Sequence, residues 1–291
     1  DLGISFSNLN VVDEAIDVGR SGNLIKRYKD KKDLQQGDKV IALSLDVDSD
    51  AVASILSEKA AQLNQEAVDN GLVRENGAFK IIKGEQGIEV NVEDSIAEIE
   101  LVAEVVEPRG SEEDLEQITD MMGSYTTNYK DSGQNRCDNI SNATSKINGT
   151  LLYPGEEFSV YEAIGPLDAA NGYELAGAYE NGQTVESYGG GVCQVSTTLY
   201  NAVILAELEI TQRSNHSMIV SYVKPSMDAA IAGDYKDLRF VNNQDIPIYI
   251  EGYTEGKNVT FKIYGHDTRP SNRVVTYESE VVSEQDPGTQ Y

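Results

Sequence analysis

Three consecutive glycines stand directly before a cysteine, in the segment YGGGVCQVST at residues 188–197. Glycine adopts backbone conformations that are closed to other residues, so this run predicts a tight turn. After the turn, apolar residues recur at intervals of three or four, namely Val192, Val195, Leu199 and Val203. This spacing is typical of a helix packed against a core. The sequence therefore places Cys193 in the first turn of a buried helix.

The position of Cys193 indicates nucleophilic catalysis. Unpaired N–H groups and the positive end of the helix dipole stabilise a thiolate there, so we expect a thiol pKa below the ordinary value. Gly190 and Gly191 would let a substrate carbonyl approach the sulfur, and N–H groups from Val192 to Gln194 would bind an oxyanion. The alternative is a cysteine that acts as a small apolar residue beneath a glycine turn.

A thiol nucleophile needs a base, and the chain has only two histidines. His216 lies in RSNHSMIVSY, before an apolar strand that we expect to return beside the start of the helix, whereas His266 lies where the last strand ends. We therefore predict His216 as general base and acid. Its ring would be oriented by Asp228 or by Asn215, and the sequence leaves both open.

Charge and motif content argue against several other functions. Lys and Arg total 23 against 49 Asp and Glu, a formal net charge of −26, which makes nucleic acid and anionic membrane surfaces poor partners. The glycine run lacks the lysine and the spacing of nucleotide loops, and two His with two Cys show no zinc pattern. We expect no cofactor and no metal. Cys137 is predicted to be structural, although a Cys137–Cys193 disulfide is also conceivable and would consume the candidate nucleophile.

Turn signals and charge divide the chain into two α+β domains and a tail. In residues 1–110 we predict a small α+β domain, with a helix over 50–68 and two short strands around a glycine turn over 78–90. The polar segment PRGSEED at 108–114 is the predicted hinge. In residues 111–268 we predict a larger α+β domain whose last three segments form an antiparallel meander. Residues 269–291 are predicted to be a linker or tail.

The second domain resembles the VanW family. The resemblance is carried by NRCDNISNATSKING, YGGGVCQVSTTLYNAVILAELEI, RSNHSMIVSYV and DLRFVNN, in that order. The first domain is similar, through VGRSGN and LSLDVDSDAVASILSEKAAQLN, to a peptidoglycan-binding domain that often precedes VanW in Gram-positive surface proteins.

The resemblance implies a cell-wall protein on the outer face of a Gram-positive bacterium, held at the membrane only through an anchor outside these 291 residues. It implies peptidoglycan L,D-transpeptidation, a cysteine acyl transfer on tetrapeptide stems that forms 3-3 cross-links. Cys193 would be the nucleophile and His216 its partner. Further oxyanion or substrate-binding candidates are Gly190, Gly191, Val192, Gln194, Ser196, Arg136, Arg213 and Asn215.

Two other functions remain open from the sequence. In a non-catalytic wall-binding module, Cys193 would be buried packing and the glycines would form a ligand turn. In a cysteine peptidase or carboxypeptidase, the same Cys193–His216 pair would pass the acyl group to water.

Overall fold

The chain forms two compact units. The computed structural model describes residues 4–6, 8–37, 39–42, 44–98, 102–180, 183–233 and 235–283. The first unit comprises Asp1–Val68 and Glu85–Pro108, and the second comprises Asp69–Gly84 and Arg109–Tyr291. Residues 69–84 therefore interrupt the first unit in sequence but belong to the second.

Short strands and helices make up the chain as far as residue 108. In chain order they are β1 (Ile4–Phe6), α1 (Asn10–Asp17), α2 (Leu24–Gln36), β2 (Leu45–Val47), α3 (Ser49–Leu63), β3 (Gly71–Glu75), β4 (Ala78–Ile82), β5 (Gly87–Asn91), α4 (Val92–Glu98) and β6 (Val102–Val106). Within the first unit, β1 pairs with β2 and β5 pairs with β6, both antiparallel. The carboxylate of Asp48 caps α3 by accepting hydrogen bonds from the N–H groups of Asp50 and Ala51.

Further helices and strands make up the rest of the second unit. They are α5 (Glu112–Glu116), β7 (Asp120–Asn128), α6 (Gln134–Ile147), β8 (Thr150–Leu152), β9 (Glu157–Ser159), α7 (Val160–Ile164), β10 (Leu175–Glu180), β11 (Gln183–Tyr188), α8 (Val192–Leu205), β12 (Glu209–Gln212), β13 (Arg239–Val241), β14 (Ile248–Glu255) and β15 (Asn258–Gly265). A 3-10 turn covers Ala169–Asn171.

Two helices pack on an antiparallel sheet to make the core of this unit. The sheet has the strand order β7-β15-β14-β8, and both α6 and α8 lie against it. Apolar residues at helical spacing become fully buried, Ile140, Ala143 and Ile147 on α6 and Val195, Leu199 and Ala202 on α8. The helix predicted after the glycine run is therefore present and is fixed against the sheet by its apolar face.

The predicted α+β class is confirmed, and the strand pairings add detail that the sequence did not provide. The three C-terminal segments are antiparallel strands, but the predicted three-strand meander is corrected, because β14 and β15 pair with each other whereas β13 pairs with β12 and β9 in another sheet. The two strands around the glycine turn at residue 84 are also present, but they are not partners. Strand β4 pairs with β3 in the second unit, and β5 pairs with β6 in the first.

The β3–β4 hairpin packs on the second unit through an aromatic cluster. The Phe79 ring meets the rings of Tyr249 and Tyr264 edge-on, at centroid distances of 5.5 and 5.2 Å. Beside it, Arg74 forms a 2.9 Å ion pair with Glu251. The ring contacts and the ion pair together tie residues 69–84 to β14 and β15.

The segment after residue 268 contacts the second unit as far as Tyr277. The Arg269 guanidinium donates to the carbonyls of Leu205 and Met122, and the Tyr277 hydroxyl bonds the Asn201 side chain on α8. Residues 284–291 of the predicted tail lie outside the described residues. Across the described ranges, no helix combines the length and apolar character that crossing a bilayer requires.

Candidate active site

An open cleft of about 1900 Å³ lies on the second unit. It is lined by the first turn of α6, the β10–β11 hairpin, the glycine run, the start of α8 and parts of the segment 216–236. Cys193 and His216 both line it. The structure thus brings the predicted nucleophile and the predicted base to one surface.

The glycine run allows the turn before α8 to pack tightly against its neighbours. A Cβ at Gly191 would stand 3.0 Å from Cγ of Arg136, and the φ of +115° there disfavours any side chain. A Cβ at Gly190 would stand 2.5 Å from the carbonyl oxygen of Ala176. We expected these glycines to open a path for substrate. The missing Cβ atoms make room for α6 and β10, and both glycines also line the cleft.

Of the predicted oxyanion donors at this turn, only the Cys193 N–H is free of a backbone acceptor among the described residues. Those of Val192 and Gln194 already donate to the carbonyls of Gly189 and Gly191, at 3.1 and 2.9 Å. Within the described part of the chain, the N–H groups of Gly191 and Cys193 donate to no protein acceptor. These are free helix N-terminal donors of the kind that bind an oxyanion.

His216 and Asp228 form a hydrogen-bonded pair. Nδ1 of His216 lies 2.6 Å from Oδ2 of Asp228, and the His216 backbone N–H donates to the same oxygen at 2.7 Å. Burial opposes the charged form of Asp228, yet the hydrogen bonds from His216 hold the pKa of this carboxyl below its usual value. With Nδ1 engaged, Nε2 is the ring nitrogen left to exchange a proton with a thiol or substrate.

The other orienting candidate and the other histidine lie elsewhere. The Asn215 side chain donates to the His216 carbonyl rather than to the ring. His266 is half exposed, lies 4.0 Å from Asp120, and does not line the cleft. Of the alternatives left open by the sequence, Asp228 is the one placed at the imidazole of His216.

Arg213 contacts both the backbone and the side chain of Asp228. Its Nε donates to the Asp228 carbonyl at 2.7 Å, and its Nη2 lies 3.2 Å from Oδ1. Arg213, Asn215 and Ser196 are not among the described residues that line the cleft. Arg213 is therefore placed to position the carboxylate, away from any substrate carboxyl.

Polar side chains of α8 fix the segment that carries Asp228. Thr197 Oγ1 accepts from the Ala229 N–H at 2.9 Å, Ser196 Oγ donates to the Ala229 carbonyl, and Asn201 Nδ2 donates to the Met227 carbonyl at 2.8 Å. Neither Thr197 nor Asn201 was predicted from the sequence to belong to the site. On an otherwise apolar helix, these two polar residues follow Cys193 at intervals of four residues, a spacing that places them on the same face of the helix as Cys193. This pattern could have identified them from the sequence.

The Cys193 sulfur is partly buried against the same segment. The Ile231 N–H points to Sγ at 3.4 Å, and both cysteines of the chain are free thiols. Burial raises the pKa of Cys193, and the Ile231 hydrogen bond with the charges of Arg136 and Lys236 offsets only part of that rise. The expected lowering of this pKa is therefore corrected: the resting group is a protonated thiol.

Gln194 and Arg136 form a polar bridge beside the nucleophile. Arg136 donates to Ser132 Oγ at 2.7 Å and to Gln194 Oε1 at 2.9 Å. The buried Gln194 amide in turn donates to Thr127 and Asn128. Arg136 lines the cleft and forms no ion pair within the described ranges, so its charge is available to a ligand.

Tyr222 is a further cleft residue that the sequence did not single out. Burial raises the pKa of its hydroxyl, so Tyr222 is a neutral hydrogen-bonding group at ordinary pH.

As for metal ligands, the residues that the structure describes contain no group of three or more His, Cys, Asp or Glu side chains able to hold an ion.

Two family models match successive parts of the chain. The sequence model of the family described as "VanW like protein" matches residues 135–264, and that of "Putative peptidoglycan binding domain" matches residues 1–108. No solved structure matches the chain.

Two relatives cover part of the chain. It is 35% identical over 172 residues to the uncharacterized protein YoaR of Bacillus subtilis, which is 59% of this chain and 57% of that protein. It is 30% identical over 118 residues to the vancomycin B-type resistance protein VanW of Enterococcus faecalis, which is 38% of this chain and 42% of that protein. The chain thus matches only about half the length of these relatives. With both family matches in their expected order and both relatives in agreement, residues 135–264 form a domain of the VanW family, preceded over residues 1–108 by a match to the peptidoglycan-binding domain family.

Proposed function

We propose that the protein is a peptidoglycan L,D-transpeptidase that works through a thioester on Cys193. The observation that carries this proposal is the placement of a free cysteine, at the start of α8, in the same cleft as a histidine bonded to a buried aspartate. A thiol, a base and an orienting carboxylate are the parts of nucleophilic acyl transfer. The family matches support a place in the cell wall and peptidoglycan as the partner.

In the first half-reaction, Nε2 of His216 takes the Cys193 proton as the sulfur attacks the carbonyl before the terminal D-Ala of a tetrapeptide stem. A C–S bond forms, and the tetrahedral oxyanion accepts hydrogen bonds from the N–H groups of Gly191 and Cys193. The C–N bond then breaks, and the His216 proton passes to the departing amine of D-Ala. The products are a thioester and free D-Ala.

In the second half-reaction, the side-chain amine of a neighbouring stem attacks the thioester carbonyl. His216 accepts one proton from that amine and returns it to the sulfur as the C–S bond breaks. A new amide, the 3-3 cross-link, replaces the amide lost in the first step. Water in place of the amine would give a tripeptide.

The raised thiol pKa determines how His216 must act. Because Cys193 rests as a neutral thiol, the proton must leave as the sulfur attacks. The Asp228 carboxylate stabilises the imidazolium that this transfer creates. Of the two arginines considered for a stem carboxylate, Arg136 is the one at the cleft.

The test is mass spectrometry of the purified protein incubated with a disaccharide-tetrapeptide, with wild type and Cys193→Ala side by side. We expect a 3-3 linked dimer and free D-Ala from wild type alone. Tripeptide without dimer would identify a carboxypeptidase. Unchanged substrate with both proteins would contradict catalysis and favour a wall-binding module.

A further inference from the structure

The cleft has a different charge balance from the rest of the chain. Acidic residues outnumber basic ones by 49 to 23 in the whole sequence. The described residues that line the cleft include three cations, Lys130, Arg136 and Lys236, against two carboxylates, Asp131 and Asp168. Of these two carboxylates, Asp168 is already bonded to the Asn171 amide. A local excess of cations in a polyanionic protein favours an anionic ligand.

Lys236 is the cation held beside the histidine. Its Nζ donates to the carbonyl of Asn215, the residue before His216, at 3.4 Å. An ammonium group has three donors, so this single long bond leaves two for a ligand. Arg136, in contrast, is held beside the nucleophile through Gln194.

The proposed reaction places a carboxylate on the histidine side of the cleft. His216 must reach the nitrogen of the departing amino acid in order to protonate it. In a tetrapeptide stem, the free α-carboxylate of that amino acid is attached one carbon from this nitrogen. A cation next to His216 is therefore placed to meet it.

We propose that Lys236 binds the free α-carboxylate of the departing amino acid and so restricts the donor to stems that end one residue after the attacked carbonyl. The inference rests on the proposed function and deepens it. A C-terminal amide removes this charge, and a pentapeptide moves it one residue away. Both are poorer donors than the tetrapeptide acid.

Binding tests this without requiring turnover. In the Cys193→Ala background, the dissociation constants of a tetrapeptide acid and of its C-terminal amide are measured by calorimetry. We expect the acid to bind about 10-fold more tightly or better, the usual size of a charge-assisted hydrogen bond. Lys236→Gln should bring the two constants within about twofold. Lys130→Gln, a lysine of the same cleft, should preserve the preference.

Three results would overturn the assignment of Lys236. They are equal affinity for acid and amide before Lys236 is changed, a preference that survives Lys236→Gln, and undetectable binding of the acid. If the preference survives Lys236→Gln but is lost in Arg136→Gln, the carboxylate is reassigned to Arg136.

Rates separate this inference from the proposed function. Cross-linking of acid and amide donors at equal rates would refute the role of Lys236 while leaving the transpeptidase intact. A Lys236-dependent binding preference without any thioester chemistry would refute the transpeptidase while leaving the carboxylate site. In an active enzyme, Lys236→Gln should raise KM for the acid about 10-fold and leave KM for the amide unchanged.

Discussion

Asp228 engages His216 at two points, the ring and the backbone N–H, through one oxygen atom. Asp228→Asn would keep the shape of the side chain but lose the negative charge that stabilises the imidazolium. We expect thioester formation to slow by about 10³- to 10⁴-fold, with the fold intact by circular dichroism. Acylation is measured by mass spectrometry of the intact protein after rapid mixing.

Asn215→Ala is the matched control, because the Asn215 side chain bonds the His216 carbonyl and, among the described residues, no other group. Its rate should stay within about threefold of wild type. A comparable loss in both variants would mean that the loop around residue 216, rather than the carboxylate, controls the rate.

Thiol reactivity should follow the raised pKa of Cys193. A group whose folded pKa lies above its unfolded value loses its proton only at higher pH, so alkylation by iodoacetamide should keep accelerating beyond the free-thiol pKa of about 8.5. The rate is followed from pH 6 to 10 on the tryptic peptide that contains Cys193, in a Cys137→Ser background. A plateau below pH 8 would show a preformed thiolate and contradict the burial argument.

At the scale of elements, α8 supports the site through side chains that a core helix does not need. Thr197 Oγ1 is the partner of the buried Ala229 N–H, next to Asp228. Thr197→Val keeps the shape but leaves that N–H without an acceptor, so we expect a loss of about 1–3 kcal/mol in the free energy of unfolding and slower acylation. Urea denaturation and rapid-mixing mass spectrometry measure the two effects.

Thr144→Val on α6 is the comparison, since the buried Thr144 hydroxyl only donates to Ile140 of its own helix. The change should cost less than about 1 kcal/mol and leave acylation unaffected. Equal effects at both threonines would argue that α8 does not hold the catalytic segment in any special way.

Local patterns were enough to predict α8 and the position of Cys193 in its first turn, because apolar spacing and a glycine run are contained within one segment. They gave the wrong direction for the Cys193 pKa, because that pKa is raised by the burial of the thiol in the folded protein, which the residues next to Cys193 in sequence do not reveal. The pairing of β13 with β9 depends on contacts between segments about 80 residues apart. Such pairings follow from packing rather than from periodicity.

At the scale of the whole molecule, the β3–β4 hairpin is a part of the second unit that a cut at residue 109 would remove. Phe79→Ala deletes the ring that contacts Tyr249 and Tyr264. We expect the free energy of unfolding of the second unit to fall by about 2–4 kcal/mol, as measured by urea denaturation.

Ile82→Ala on the same hairpin is the control, because Ile82 is 45% exposed, and it should cost less than about 1 kcal/mol. If Phe79→Ala lowered the free energy of unfolding no more than Ile82→Ala does, the hairpin would not contribute to the stability of the second unit. A fragment that begins at residue 109 would then be as stable as the longer chain.

Because the hairpin belongs to the second unit, it is synthesised on the ribosome long before the strands against which it packs. Residues 71–82 are made about 170 residues before Tyr249 and Tyr264, the side chains they pack against. At a translation rate of about 5–20 residues per second, roughly 10 s or more pass between the synthesis of the hairpin and the synthesis of the two tyrosines that it packs against. During that interval Leu72 and Phe79 are exposed to other nascent chains and to chaperones. The second unit can therefore complete its fold only after its last strands have been translated.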